Sequence, residues 1–195
     1  MSENERVARA AVPLSKIIRA VAPGQLAAST PCAEFDVRAL LNHLLFWGPS
    51  LVGAARKVTV APPAAAESEV DLVTGDWVAA LDTQLDELAA AWRDPAAWAG
   101  LTHMGGPTEL PAAMIGGMVV GELIVHGWDL SRALGSPVSW DDDLLADVYA
   151  ETAATAEQGR QMGIYGPEVP VDPGAALIDR ILGVTGRDPA WQPVR

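Results

Sequence analysis

The sequence predicts an all-α fold: an antiparallel four-helix bundle with a long crossover connection and helical additions at its C-terminus. Three observations predict it. Apolar residues recur at helical spacing in five segments, no stretch alternates apolar and polar residues over a useful strand length, and Gly- and Pro-rich loops separate the periodic segments. With 195 residues, half of them apolar, the chain can bury one sizeable core, and a single domain over 1–195 is expected.

Arg6 to Val21 places Val7, Ala11, Leu14, Ile17, Ile18 and Val21 at helical spacing and stops at the "APG" of 22–24, with Pro13 as a candidate kink. A second helix is expected from Asp36, a good cap, to Lys57. Its apolar stripe is Leu40, His43 or Leu44, Trp47 and Leu51, with Pro49 the one discord. From Val58 to Val70, "VTVAPPAAAESEV" has adjacent prolines and no sustained period, which suits a crossover in a helix bundle. The third helix carries Trp77, Leu81, Leu85, Leu88 and Trp92 on one face, with Pro95 beyond its end. A loop then leads to a fourth helix from near Pro111 to before Gly135. In it, Gly117 and Gly121 form a small-xxx-small pair that would admit another backbone. A fifth helix is expected from Asp141 to Arg160, and a short one near Ala175 to Leu182.

Acidic residues outnumber basic ones 25 to 13, and the net charge of −12 repels nucleic-acid phosphates and anionic membranes, so neither partner is expected. The longest apolar run, Leu110 to Gly121, is too short for a spanning helix, which needs about 20 residues. The start "MSENERVARA" lacks the organisation of a signal peptide and Cys32 has no partner for a disulfide, so a cytoplasmic location is expected. Cys32 reads as a small core residue rather than a reactive thiol.

The chemistry concentrates in "GGMVVGELIVHGWDL". Ile115, Met118, Val119, Glu122 and His126 recur at three and four residues, so a carboxylate and an imidazole share the inward face of the fourth helix. A buried carboxylate must be paired, protonated or bound to a metal. His43 lies within the stripe of the second helix and could face the same interior. Two readings stay open on this pattern: a hydrogen-bonded core network, or a three-ligand metal site with an open position. Asp129 is placed to act behind His126 or as a fourth ligand, and His103 reads as a surface loop histidine. Nucleotide-loop, nucleophile-elbow, H-E-x-x-H and paired-cysteine motifs are all missing from the sequence.

The segments "TPCAEFDVRALLNHL" and "GELIVHGWDLSRALGSPV" resemble the two signature segments of the actinobacterial metal-binding proteins of the DinB-like superfamily, which are similar to the N-terminal domain of mycothiol-dependent maleylpyruvate isomerase. The resemblance runs from the first helix to "VTGRDP". It implies the four-helix bundle of that superfamily, and it implies metal ligation by His43, Glu122 and His126. Phe35 stands where the family usually has tryptophan. The isomerase's further C-terminal domain has no room in 195 residues, so the fold is expected to transfer better than the reaction.

The resemblance and the ligand set imply an enzyme in which a divalent metal, zinc first and iron or nickel as alternatives, activates a low-molecular-weight thiol such as mycothiol for transfer to, or isomerisation of, an electrophilic substrate. Two other functions fit the same residues. One is a non-haem Fe(II) enzyme using the same triad. The other is a non-enzymatic bundle that binds a small ligand or a protein and holds a structural metal or polar network. A homodimer is the superfamily's expectation.

Overall fold

Seven α-helices organise the computed structural model, which describes residues 2–193; residues 1 and 194–195 of the expected domain lie outside the described residues. Four helices form the bundle: α1 (Arg6–Arg19), α2 (Val37–Ala55), α3 (Trp77–Trp92) and α5 (Ala112–Leu134). The short α4 (Pro95–Trp98) follows α3, and α6 (Asp142–Gln161) and α7 (Leu177–Val184) are the C-terminal additions.

Local chemistry sets the helix ends. Asp36 caps α2 by accepting from the Ala39 N–H at 2.8 Å, and Asp76 caps α3 by accepting from the Ala79 N–H at 3.1 Å. Pro111 is the residue before the first turn of α5, and Gly135 ends that helix at φ 66°, a left-handed conformation that glycine adopts without a Cβ penalty. The loop from Gly100 to Pro111 holds what periodicity could not show: strands β1 (Leu101–His103) and β2 (Glu109–Pro111) pair antiparallel. Three residues a strand are too few to display alternation.

The crossover fixes the helix directions. Residues 58–76 run from the end of α2 back to its beginning, where Arg38 donates to the Val73 carbonyl at 2.9 Å and Asn42 accepts from the Leu72 N–H at 2.7 Å. The third helix therefore runs beside the second in the same direction, with Gln84 donating to the Leu44 carbonyl and Trp92 to the Leu51 carbonyl. α1 opposes α3, since Asn4 reaches Arg93 while Ser15 and Arg19 reach Asp82. α2 and α5 likewise form an antiparallel pair.

The core is built from Leu14, Ile18, Leu40, Leu41, Leu81, Leu88, Ile115 and Ile124, all buried, with Trp92 and Trp98 packed edge to face at 5.0 Å. The glycines of α5 seat side chains rather than helices. A Cβ on Gly116 would lie 2.3 Å from the Trp98 ring, and one on Gly127 would lie 2.9 Å from the Trp140 ring. The expectation for Gly117 and Gly121 is not met: the Glu151 carboxylate covers the first, and no atom of the described residues comes within 4 Å of a Cβ on the second. By length and apolarity α5 could cross a membrane, but two thirds of its most apolar stretch is buried inside the bundle.

Candidate metal centre

Three donors from two helices meet between α2 and α5. The antiparallel pairing of α2 and α5 sets His43 opposite the turn that carries Glu122 and His126, and one nitrogen or oxygen from each lies within 4.8 Å of the others. His43 Nε2 is 2.6 Å from Glu122 Oε1, and His126 Nε2 is 3.3 Å from the same oxygen. The i, i+4 spacing of Glu122 and His126 puts both on one face, as the sequence indicates.

Each histidine has a carboxylate behind it. His126 Nδ1 is 3.0 Å from Asp129 Oδ2, one turn along the same helix, and Asp129 is completely buried. His43 Nδ1 is 3.0 and 3.1 Å from the two oxygens of Glu67, which also accepts from the Trp47 indole N–H at 2.7 Å. Arg187, from the C-terminal segment, reaches Asp129 Oδ2 at 3.4 Å. Phe35 covers the pair, its ring 5.1 Å from His43 and 6.3 Å from His126 between centroids.

Electrostatics follow from this crowding. Burial is the largest influence on Glu122 and would raise its pKa, yet the charges and hydrogen bonds of His126 and His43 hold it well below the usual carboxylate range. Burial likewise disfavours the charged form of His126, but Glu122 and Asp129 outweigh it and push the imidazole up to about 9. The pKa of His43 is also raised: burial opposes the shift, while Glu122 and Glu67 cause it. Without a metal, this crowding favours the charged form of all three groups.

The residues fit a metal on the chemistry of their donors. A tetrahedral ion with bonds of about 2.0–2.2 Å separates neighbouring donors by about 3.3 Å, the distance already present between His126 and Glu122. His43 Nε2 and Glu122 Oε1 stand closer than that, at the hydrogen-bond distance of 2.6 Å. A carboxylate at Nδ1, with Nε2 turned towards the other donors, is how metal-binding histidines are oriented. Asp129 Oδ1 is a buried acceptor that finds no partner among the described residues.

The other candidates lie elsewhere. His103 is half-buried on β1, with Nε2 3.9 Å from Glu109, and does not join the trio. Cys32 is partly buried, and burial pushes its thiol up. Sequence reasoning singled out neither Glu67 nor Arg187. Both come from segments outside the α-helices, where no periodic pattern marks a residue as facing inward.

The sequence profile described as Mycothiol maleylpyruvate isomerase N-terminal domain matches residues 7–131, a span that holds all three donors. No curated protein matches the chain. Among solved structures, the crystal structure of the mycothiol-dependent maleylpyruvate isomerase is 15% identical with a TM-score of 0.66, over 97% of this chain and 91% of that one. A histidine-to-alanine variant of that isomerase gives 14% identity and a TM-score of 0.66, over 94% and 89%. The likeness establishes a shared fold, and it leaves little of the isomerase chain without a counterpart, so the expectation that a further C-terminal domain of the isomerase finds no room here is not met.

Proposed function

The chain belongs to the family of the mycothiol maleylpyruvate isomerase N-terminal domain, and on that premise we propose that it is a divalent-metal enzyme, with zinc as its metal, that uses mycothiol or a similar low-molecular-weight thiol to transform an electrophilic small molecule. The convergence of His43, Glu122 and His126 carries the reading. Their Nε2 atoms and carboxylate would hold the metal, which, when bound, lowers the pKa of a coordinated thiol so that the thiolate forms at neutral pH.

The protein's own residues do the rest. Glu67 and Asp129 keep a proton on Nδ1 of each histidine, which leaves Nε2 free to bind. Phe35 shields one side of the trio from water. Arg187 places a cation beside Asp129, where it offsets part of the negative charge gathered by three carboxylates. A thiolate formed here can add to a carbon–carbon double bond conjugated with a carbonyl, the π electrons moving on to the carbonyl as an enolate. Protonation of the enolate leaves a thioether in a transfer, whereas rotation about the new single bond and expulsion of the thiolate restores the double bond in an isomerisation.

Metal content and turnover test this together. The purified chain should hold about one zinc per chain, His43→Ala and His126→Ala should lose it, and conversion of an electrophile should require both metal and thiol. A chain that holds no stoichiometric metal, or variants with unchanged content, would contradict the reading. A metal whose removal lowers thermal stability while no thiol-dependent conversion occurs over a panel of electrophiles would make it structural.

A further inference from the structure

We infer that Glu67 is a positioning residue for the metal centre, delivered to it by the crossover; this rests on the metal reading above. Glu67 opens a single 3-10 turn, Glu67–Glu69, in the middle of a segment otherwise without regular structure. A loop acid of this kind is ordinarily solvated. Here the carboxylate is half-buried and accepts from two side chains of α2 that stand one helical turn apart, His43 and Trp47.

The backbone around it is fixed as well. Asn42 donates to the Glu67 carbonyl at 3.3 Å and accepts from the Leu72 N–H, and Arg38 holds the Val73 carbonyl and the Asp71 carboxylate. The crossover is thus tied along the first two turns of α2, and Glu67 reaches the histidine from a firm support. The chemistry that needs it is simple. A neutral imidazole carries one proton, and only when that proton sits on Nδ1 does Nε2 offer its lone pair to a metal. The Glu67 carboxylate selects that tautomer and fixes the ring plane, while the Trp47 indole holds the carboxylate in place.

Two consequences follow. Removing the carboxylate should weaken metal binding even though Glu67 does not touch the metal. By reciprocity, metal bound at His43 should steady the crossover, since the same contact couples both.

The test measures zinc affinity of the full chain by chelator competition for wild type, Glu67→Ala and Glu67→Gln, with amide exchange of residues 58–73 followed with and without zinc. Glu67→Ala should bind zinc about 10–100-fold more weakly. Glu67→Gln should restore most of the affinity, because its amide oxygen can still accept from His43 and Trp47. Zinc should slow exchange across 58–73 in the wild type and much less in Glu67→Ala. If Glu67→Ala does not fold, Glu67→Asp, one methylene too short to reach both donors, should show the same loss. Equal affinity for wild type and Glu67→Ala (or Glu67→Asp), a Glu67→Gln variant as weak as Glu67→Ala, or crossover exchange indifferent to zinc would overturn the role of Glu67. A wild type that binds no zinc would contradict the metal reading itself.

Discussion

Glu122 is the residue on which the site turns, because one of its oxygens faces the Nε2 atoms of both histidines. In the metal-free chain the charged trio makes its own contribution to stability, with a definite pH window. His126 has its pKa raised from 6.5 to about 9, so its contribution is complete below pH 6.5 and lost as pH rises through about 9. Glu122 has its pKa lowered from 4.5, so its contribution is complete above pH 4.5 and lost as pH falls through its depressed value. Thermal melts of the metal-free protein should therefore peak between these limits and decline on the alkaline side. Zinc affinity should move the opposite way, because the metal displaces protons from His126 and His43: titrations should show it rising by about tenfold or more per pH unit while both are charged, and still rising towards about pH 9 as His126 titrates. Asp129, buried behind His126, should matter to the metal without touching it. Asp129→Ala, which removes the acceptor for His126, is expected to weaken zinc binding about 10–100-fold in a chelator competition.

The elements divide by how local their causes are. The bundle helices were legible because each has its own stripe and its own punctuation: the Leu81, Leu85, Leu88, Trp92 face of α3 between Asp76 and Pro95, or α5 ending at Gly135. The β-hairpin of 101–111 was not, since its two short strands are paired by backbone contacts rather than by a side-chain pattern. Nor could the sequence say what the glycines of α5 accommodate, because Trp98 and Trp140 arrive from other elements. These glycines give a paired prediction. Gly116→Ala should destabilise the protein by about 1–3 kcal/mol, as its methyl would collide with the buried Trp98 ring. Gly121→Ala meets no described atom within 4 Å and should stabilise by up to about 1 kcal/mol through helix propensity alone. Denaturant unfolding of the two variants checks both signs.

Across the whole molecule, the site is assembled from five separate regions: the loop before α2 that carries Phe35, α2 itself, the crossover, α5 and the C-terminal segment. The two helical contributions, His43 and the Glu122–His126 pair, could be read from a polar residue placed on an apolar face. Glu67 and Arg187 could not, because a loop acid and a loop arginine look the same in sequence whether they face solvent or a buried histidine. What joins the regions is thermodynamic linkage. Zinc at 100 times its dissociation constant should add about 2.7 kcal/mol to global stability, and a chelator should remove it, which calorimetry would record as a lower melting temperature. The most direct test of the central claim is anomalous diffraction at the zinc edge from crystals of the chain loaded with one equivalent of zinc. The structure predicts a single strong peak about 2.0–2.2 Å from His43 Nε2, His126 Nε2 and a Glu122 oxygen. A peak on other residues, or none between these three, would contradict it.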